Sequence, residues 1–160
     1  MLNDTAPTRD HAWIAAHIPH AGLMCLLDRV VAWDASYVLC TADGHRRPDH
    51  PLRQFGRLGA ACGIEYAAQA MAVHGALQAD QGAARIAVPG MLVSMRGVTL
   101  HVTRLDDVAE TLQVHAQRLG SSEDMLLYSF SVSAGTRALL DGRASVKLGS
   151  APTRSDGSPA

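Results

Sequence analysis

Glu65 and Gln69 lie four residues apart in an alanine-rich segment that runs from Gly59 to about Gln78. The segment is apolar on nearly every side, which predicts a helix that other structure surrounds. Burial raises the pKa of a carboxyl group toward the range useful for proton transfer, and the spacing places Gln69 beside Glu65 as an orienting partner. Glu65 is therefore a candidate acid–base group; the alternative is a helix residue that is partly exposed or bonded to a neighbouring strand.

Histidine would be the natural partner of such a carboxylate, and the sequence contains eight. Their spacing includes no HExxH or comparable pattern, so no metal site is predicted. His45 and His50 lie in the loop that enters the helix, and His20 follows a proline before the first predicted strand. A loop imidazole delivered close to Glu65 would complete an acid–base pair. Three histidines in regular elements are interpreted as structural: His74, His101 and His115.

The start of the predicted helix offers a third chemical element. Gly59 and Ala60 have small side chains or none, which leaves backbone N–H groups accessible to an incoming carbonyl. Small residues there would equally permit close packing of the helix on a strand. Cys62 has no base at a suitable spacing, so we expect it to behave as a small buried residue.

Charge and cysteine content exclude several classes of protein. The 160 residues suit one domain, and 14 basic against 15 acidic residues, with no basic run, exclude binding to a phosphate backbone. Three widely spaced cysteines without a CxxC argue against a disulfide scaffold or a thiolate zinc site. No secretion signal or membrane-spanning stretch is recognisable, so a cytoplasmic location is expected.

The first half of the chain predicts a short helix followed by a hairpin. We expect a flexible N-terminus over residues 1–10, one domain over 11–149 and a disordered tail over 150–160. The remaining expected elements are a helix at Asp10–His17, a strand along the apolar run Leu23–Trp33, a second strand at Tyr37–Ala42 and a long loop at Asp43–Leu58.

The second half alternates apolar and polar residues with the period of strands. The predicted strands are 91–102, 108–118, 125–133 and 137–148, and Asp141-Gly142 predicts a bulge or a turn in the last of them. An antiparallel sheet must cover one face, and one apolar helix is available to be covered. The predicted fold class is α+β, with a sheet of about five to six strands curled around a central helix.

Three segments resemble the β-hydroxyacyl-(acyl-carrier-protein) dehydratases of the hotdog fold. The first is Ile18-Pro19-His20 followed by Leu26-Leu27-Asp28-Arg29-Val30, and the second combines His50 with the helix segment 64–71. The third is Asp141-Gly142-Arg143 running into the last strand. The segments IPHAG and GIEYAAQA are similar to segments of the dehydratase-like components of aryl-polyene gene clusters, the ApeP-like family.

This resemblance implies two active sites at a subunit interface and no cofactor, in a homodimer or in a heterodimer with a second dehydratase-like subunit. The family's loop histidine, here His50, takes the α-proton of a 3-hydroxyacyl thioester on acyl carrier protein. The helix carboxylate, here Glu65, protonates the departing hydroxyl to give a trans-2-enoyl thioester. The remaining implied site residues assist binding and orientation: Gln69 and His20 beside the carboxylate, and the N–H groups of Gly59 and Ala60.

Alternatives remain open because His50 stands one residue farther from Glu65 than the family pattern has it. His45 or His20 could then supply the base. The same fold could also serve a thioesterase in which Glu65 activates water, or a weakly active or non-catalytic partner subunit of a heterodimeric dehydratase. A basic landing patch for an acidic carrier protein would be Arg46, Arg47, Arg53 and Arg57, and an acyl-binding wall would be Phe55, Met71, Met91, Leu92 and Met95, unless these residues are only solvated or packed in the core.

Overall fold

The computed structural model describes residues 9–81 and 90–149. Most of the predicted flexible N-terminus and the predicted tail at 150–160 lie outside the described residues. Within them are two helices and six strands: α1 (His11–His17), β1 (Arg29–Trp33), β2 (Tyr37–Ala42), α2 (Gly63–Asp80), β3 (Gly90–Leu100), β4 (Leu112–Ser121), β5 (Met125–Ala134) and β6 (Arg137–Leu148). Short 3-10 turns occupy Gly22–Met24, Gly44–Arg46 and Ala60–Cys62.

The six strands form one antiparallel sheet in the order β1-β2-β4-β5-β6-β3. Alternate side chains of β2, β4 and β5 are buried, as the period of two in their sequences predicts. α2 packs on the buried face of these three strands, and Gly63 lets it approach so closely that a Cβ there would collide with Leu140. The predicted α+β architecture of a sheet around one helix is confirmed.

The apolar run before β1 departs from the prediction. Only Arg29–Trp33 is a strand, and the preceding residues form a turn in which Gly22 has a positive φ of 58°. Gln69 binds the backbone N–H of Leu26 and the carbonyl of Met24, so these two groups pair with a side chain, whereas the Asp28 N–H donates to the Thr41 carbonyl of β2 at 2.8 Å. The expectation of a strand beginning at Leu23 is therefore wrong.

Two further boundaries differ from the sequence prediction. The helical region begins with a 3-10 turn at Ala60–Cys62 before α2 starts at Gly63. β6 runs without a turn through Gly142; the irregularity opposite Gly142 lies in β3, between Arg96 and Thr99, and β6 has its own irregularity at Leu139, where it faces β5. A Cβ at Gly142 would lie 3.0 Å from Phe130 and from Val98, so close packing explains this glycine. No helix within residues 9–81 or 90–149 is long and apolar enough to span a membrane.

A buried polar pair joins the second half of α2 to the sheet. His74 is fully buried; its Nε2–H donates to the Asp34 carbonyl at 2.9 Å, and its Nδ1 accepts the Tyr128 hydroxyl at 2.8 Å. Arg118 donates to the same hydroxyl at 3.3 Å, so both hydrogen-bonding roles of Tyr128 are used. Burial lowers the pKa of His74. Protonation of His74 would add a proton at the atom that accepts from Tyr128 and break this arrangement.

Replacing His74 with Gln should flatten the loss of stability in mild acid. The unfolded chain binds a proton at about pH 6.5, above the folded pKa, so the free energy of unfolding falls as pH drops from about 6.5 through the folded value. Removing His74 removes its share of this slope, which urea unfolding at pH 7, 6 and 5 would measure. His17→Gln, at an exposed position, is the control that keeps the slope, and an unaltered slope in His74→Gln would contradict the assignment.

Candidate active site

Gln69 fixes the position of the Glu65 carboxylate. Its Oε1 accepts the backbone N–H of Leu26 at 2.9 Å, and because a backbone amide can only donate, the orientation of the buried carboxamide is determined. Its Nε2 therefore donates to the Met24 carbonyl at 2.7 Å and to Glu65 Oε1 at 3.3 Å. The predicted pairing of residues 65 and 69 within the helix is present, and Gln69 also ties the helix to the turn before β1.

His20 is the imidazole that contacts Glu65 within this chain. Its Nε2 lies 3.0 Å from Glu65 Oε1, and the side chains are 27% and 34% exposed, so the pair borders solvent. An ionised Glu65 carboxylate can only accept hydrogen bonds, which makes His20 Nε2–H the donor in this contact. His20 Nδ1 is buried and has no hydrogen-bond partner. A neutral His20 therefore holds an unshared lone pair at Nδ1 while a carboxylate orients the other side of the ring.

The segment that carries His20 is anchored on both sides. Ile18 is buried in the core and ends α1, where its N–H bonds the Ile14 carbonyl at 3.0 Å. On the other side, the turn Gly22–Met24 is held by Gln69 through the Met24 carbonyl. His20 thus reaches α2 from the short link between two fixed elements.

His50 makes different contacts from those the resemblance implies. It is 7% exposed, and its Nδ1 accepts the Leu52 N–H at 3.1 Å, so the ring proton of neutral His50 lies on Nε2. That Nε2–H donates to the Tyr66 hydroxyl at 2.9 Å. Burial, followed by the positive charges near it, lowers the pKa of His50 and favours this neutral form. Within the chain the structure brings His20, rather than His50, to Glu65.

The other candidates have structural contacts. His45 is 1% exposed, its Nε2 bonds the Val108 carbonyl at 2.8 Å, and its Nδ1 is buried without a partner; unlike His20, it makes no hydrogen bond or ion pair with Glu65. The N–H of Ala60 donates to the Thr103 carbonyl at 3.1 Å, so this predicted donor is already used, while Gly59 faces Arg104 in a single β-bridge. Burial raises the pKa of Cys62, which favours the neutral thiol over the nucleophilic thiolate. Within the described ranges no three His, Cys, Asp or Glu side chains cluster as a metal site.

Part of the predicted basic patch holds the loop together instead. Arg47 makes two 2.9 Å hydrogen bonds to Asp49, and Arg53 bonds two carbonyls at 3.0 Å and Asp106 at 3.3 Å. Arg46 and Arg57 are exposed. Of the predicted acyl-binding wall, Met71 is in the core, and four residues are exposed on the surface: Phe55, Met91, Leu92 and Met95.

Tyr66 and the cavity next to it are not among the features predicted from the sequence. Tyr66 is fully buried, and with His50 it lines a cavity of about 100 Å³ between the loop and the turn before β1. The signal was available, since Tyr66 is the only aromatic residue in the alanine-rich helix. An aromatic residue on a buried helix is most simply interpreted as core, however, and the contact with His50 depends on the path of the loop.

Comparison with known proteins places this chain in a family. The family model described as ApeP dehydratase, of the ApeP-like family, matches residues 12–153. None of the curated proteins compared with the chain matches it in sequence.

Among solved structures, the chain is similar to the dehydratase heterocomplex ApeI:P from Xenorhabdus doucetiae, with a TM-score of 0.74, 24% identity, and coverage of 86% of this chain and 91% of that one. It is also similar to a thioesterase family protein from Silicibacter pomeroyi, with a TM-score of 0.60, 13% identity and coverage of 88% and 96%. The E. coli PaaI protein of the phenylacetic acid degradation operon has a TM-score of 0.59, 10% identity and coverage of 86% and 88%. Since the likenesses in structure show the hotdog fold and the family model spans most of the sequence, this chain is a member of the ApeP-like dehydratase family.

Proposed function

We propose that this chain is a dehydratase subunit that removes water from a 3-hydroxyacyl thioester carried on acyl carrier protein, in the cytoplasm. The product would be a trans-2-enoyl thioester for fatty-acid, polyketide or aryl-polyene synthesis. The family supports elimination of water as the reaction class. The observation that carries the proposal is the contact between Glu65 and His20, which leaves one imidazole nitrogen shielded from solvent and without a partner.

Elimination requires a base at C2 and an acid at the C3 hydroxyl. In the proposed mechanism, His20 Nδ1 accepts the C2 proton, and the C3–O bond breaks as the C2=C3 double bond forms. The departing hydroxide takes a proton from the His20–Glu65 pair and leaves as water. One proton enters the pair and one leaves it, so its net protonation is unchanged over a turnover. The Glu65 carboxylate also stabilises the positive charge that forms on the His20 imidazole, as the aspartate of a Ser-His-Asp triad does.

Glu65→Gln should lower the rate of dehydration by at least about 100-fold, because it removes the carboxylate through which the pair passes a proton to the departing hydroxide and which opposes the imidazolium charge. The substitution preserves size and leaves an oxygen to accept from Gln69, so the fold should survive. Enoyl absorbance with a 3-hydroxyacyl carrier protein measures the rate, and Glu110→Gln is an exposed control. Release of free thiol by the unsubstituted protein, without enoyl product, would instead assign the thioesterase reaction.

His20→Asn should lower kcat for dehydration by at least about 100-fold, since it removes the proposed base. His50→Asn should leave kcat nearly unchanged and mainly raise KM, because His50 contacts Tyr66 and not Glu65. Steady-state kinetics of the two variants separates these effects. A large fall in kcat for His50→Asn beside normal turnover of His20→Asn would reverse the assignment of the base.

We also propose that the working enzyme is a heterodimer with a second dehydratase-like subunit. β3 is an edge strand, and all but one of its residues are exposed, among them Met91, Leu92, Val93 and Met95. A long apolar edge of this kind is a site for pairing with another chain and is normally covered. The name of the ApeI:P heterocomplex supports a second, different subunit as that partner. On the loop, Arg46 and Arg57 are available to an acidic carrier protein.

Met95→Lys should weaken this assembly, because it places a charge on the apolar edge that the partner would cover. Leu119→Lys introduces the same charge at a similarly exposed position on β4, where Leu119 is 46% exposed and Met95 is 42% exposed, and should leave assembly intact. Light scattering after size-exclusion chromatography of the chain, alone and co-expressed with a second subunit, gives the masses. A stable homodimer of the chain alone, or equal assembly of both variants, would argue against the heterodimer at this edge.

A further inference from the structure

The Tyr66 hydroxyl accepts a hydrogen bond, but its own hydrogen atom has no acceptor within the described residues. His50 Nδ1 accepts the Leu52 N–H, so Nε2–H donates to Tyr66 Oη at 2.9 Å. The oxygen of Tyr66 is therefore the acceptor in this bond, and its own hydrogen must point elsewhere. A buried donor without an acceptor destabilises the protein, so an occupant that accepts this hydrogen bond would be favoured.

Tyr128 shows that the fold otherwise uses both roles of such a hydroxyl. Tyr128 is buried like Tyr66, and each tyrosine hydroxyl bonds a histidine. The Tyr128 hydroxyl, however, both accepts from Arg118 and donates to His74. Nothing at Tyr128 is left over for a ligand. The difference between the two tyrosines is that Tyr66 lines a cavity.

The cavity beside Tyr66 can admit the end of a ligand. Its volume is about 100 Å³, more than the roughly 30 Å³ that one water occupies in the liquid. Leu23 and Pro51 are exposed and line it, so the cavity reaches the surface, while Cys25 and Leu26 form an apolar wall. Leu26 also donates its N–H to Gln69, which connects this wall to the carboxamide that holds Glu65.

The charges around the cavity favour a neutral acceptor over an anion. Asp28, Arg47 and Asp49 line it; Arg47 and Asp49 neutralise each other, and Asp28 lies 3.8 Å from His11, which balances its charge only when the imidazole is protonated. Burial, with Asp28 adding to it, raises the pKa of Tyr66, so the hydroxyl keeps its proton. A carboxylate placed next to Tyr66 would face the charge of Asp28, whereas the carbonyl of a thioester or an amide carries no such penalty.

We propose that Tyr66, positioned by His50, is a binding residue that donates a hydrogen bond to a carbonyl oxygen of an acyl-pantetheine ligand in this cavity. The identity of the ligand rests on the proposed function; the donor and the cavity do not. Tyr66 would thereby do what was predicted for the Ala60 amide, whose hydrogen is bonded to Thr103. An acyl-pantetheine has two kinds of carbonyl, the thioester and the amides of the arm, and either meets the requirement.

The test uses S-butyryl-pantetheine, which has no 3-hydroxyl group and cannot be dehydrated, with ¹³C at the thioester carbonyl or at an amide carbonyl. Infrared difference spectra of the full chain, alone and with its second subunit, should show a lowered stretching frequency for one of the two labelled carbonyls. The label that shifts identifies the source. In Tyr66→Phe the shift should be lost and binding should weaken about tenfold, as expected for one unmade hydrogen bond.

Tyr128→Phe is the matched control, because it removes the same hydroxyl from a buried tyrosine–histidine pair with no cavity. It should keep both the shift and the affinity. If neither carbonyl of the bound probe shifts in the unsubstituted protein, or if Tyr66→Phe keeps the shift, the inference is overturned, and the first result needs no variant to fold. These outcomes involve no turnover, so absence of dehydratase activity would refute the proposed function without deciding the role of Tyr66.

Discussion

The Gln69 carboxamide is the interaction on which the site depends. It lies in the core, where each of its polar atoms must have a partner, and its three hydrogen bonds join α2, the turn before β1 and the Glu65 carboxylate. Because Leu26 can only donate, the carboxamide has one orientation, and that orientation makes Glu65 Oε1 an acceptor. The ionised carboxylate accepts from His20 as well, so the ring proton of a neutral His20 lies on Nε2. A single buried amide thus sets the backbone path next to the carboxylate of the candidate active site.

The same physical constraint acts differently near the two ends of α2. Near the beginning His50 bonds Tyr66, and farther along His74 bonds Tyr128, and in both pairs burial lowers the pKa of the histidine. The His74 pair is closed, since Asp34 and Arg118 complete it, and it fastens the helix to the sheet. The His50 pair leaves a donor facing a cavity. Chemically similar pairs therefore serve structure in one place and support recognition in the other.

Half of the fold was predictable because its determinants are local. The alternation in β4 to β6 follows directly from which face of a strand is buried, and the apolar composition of α2 implied a surrounding sheet. The start of the run Leu23–Trp33 could not be predicted, because the Met24 carbonyl and the Leu26 N–H bond Gln69, a residue more than forty positions away. The positions of the bulges, in β3 opposite Gly142 and in β6 at Leu139, depend on the pairing of strands that are distant in the chain and were not predictable locally.

The sequence by itself determined that a carboxylate and an amide four residues apart share one side of a buried helix, because helical geometry brings such residues together whatever surrounds them. It also carried the motifs that define the family. Only the tertiary structure decided which imidazole meets that carboxylate, that the Ala60 amide is taken by Thr103, and that Tyr66 faces a cavity. Each of these depends on how loops distant in the chain are anchored, and the partners that anchor them are chosen by the packed core.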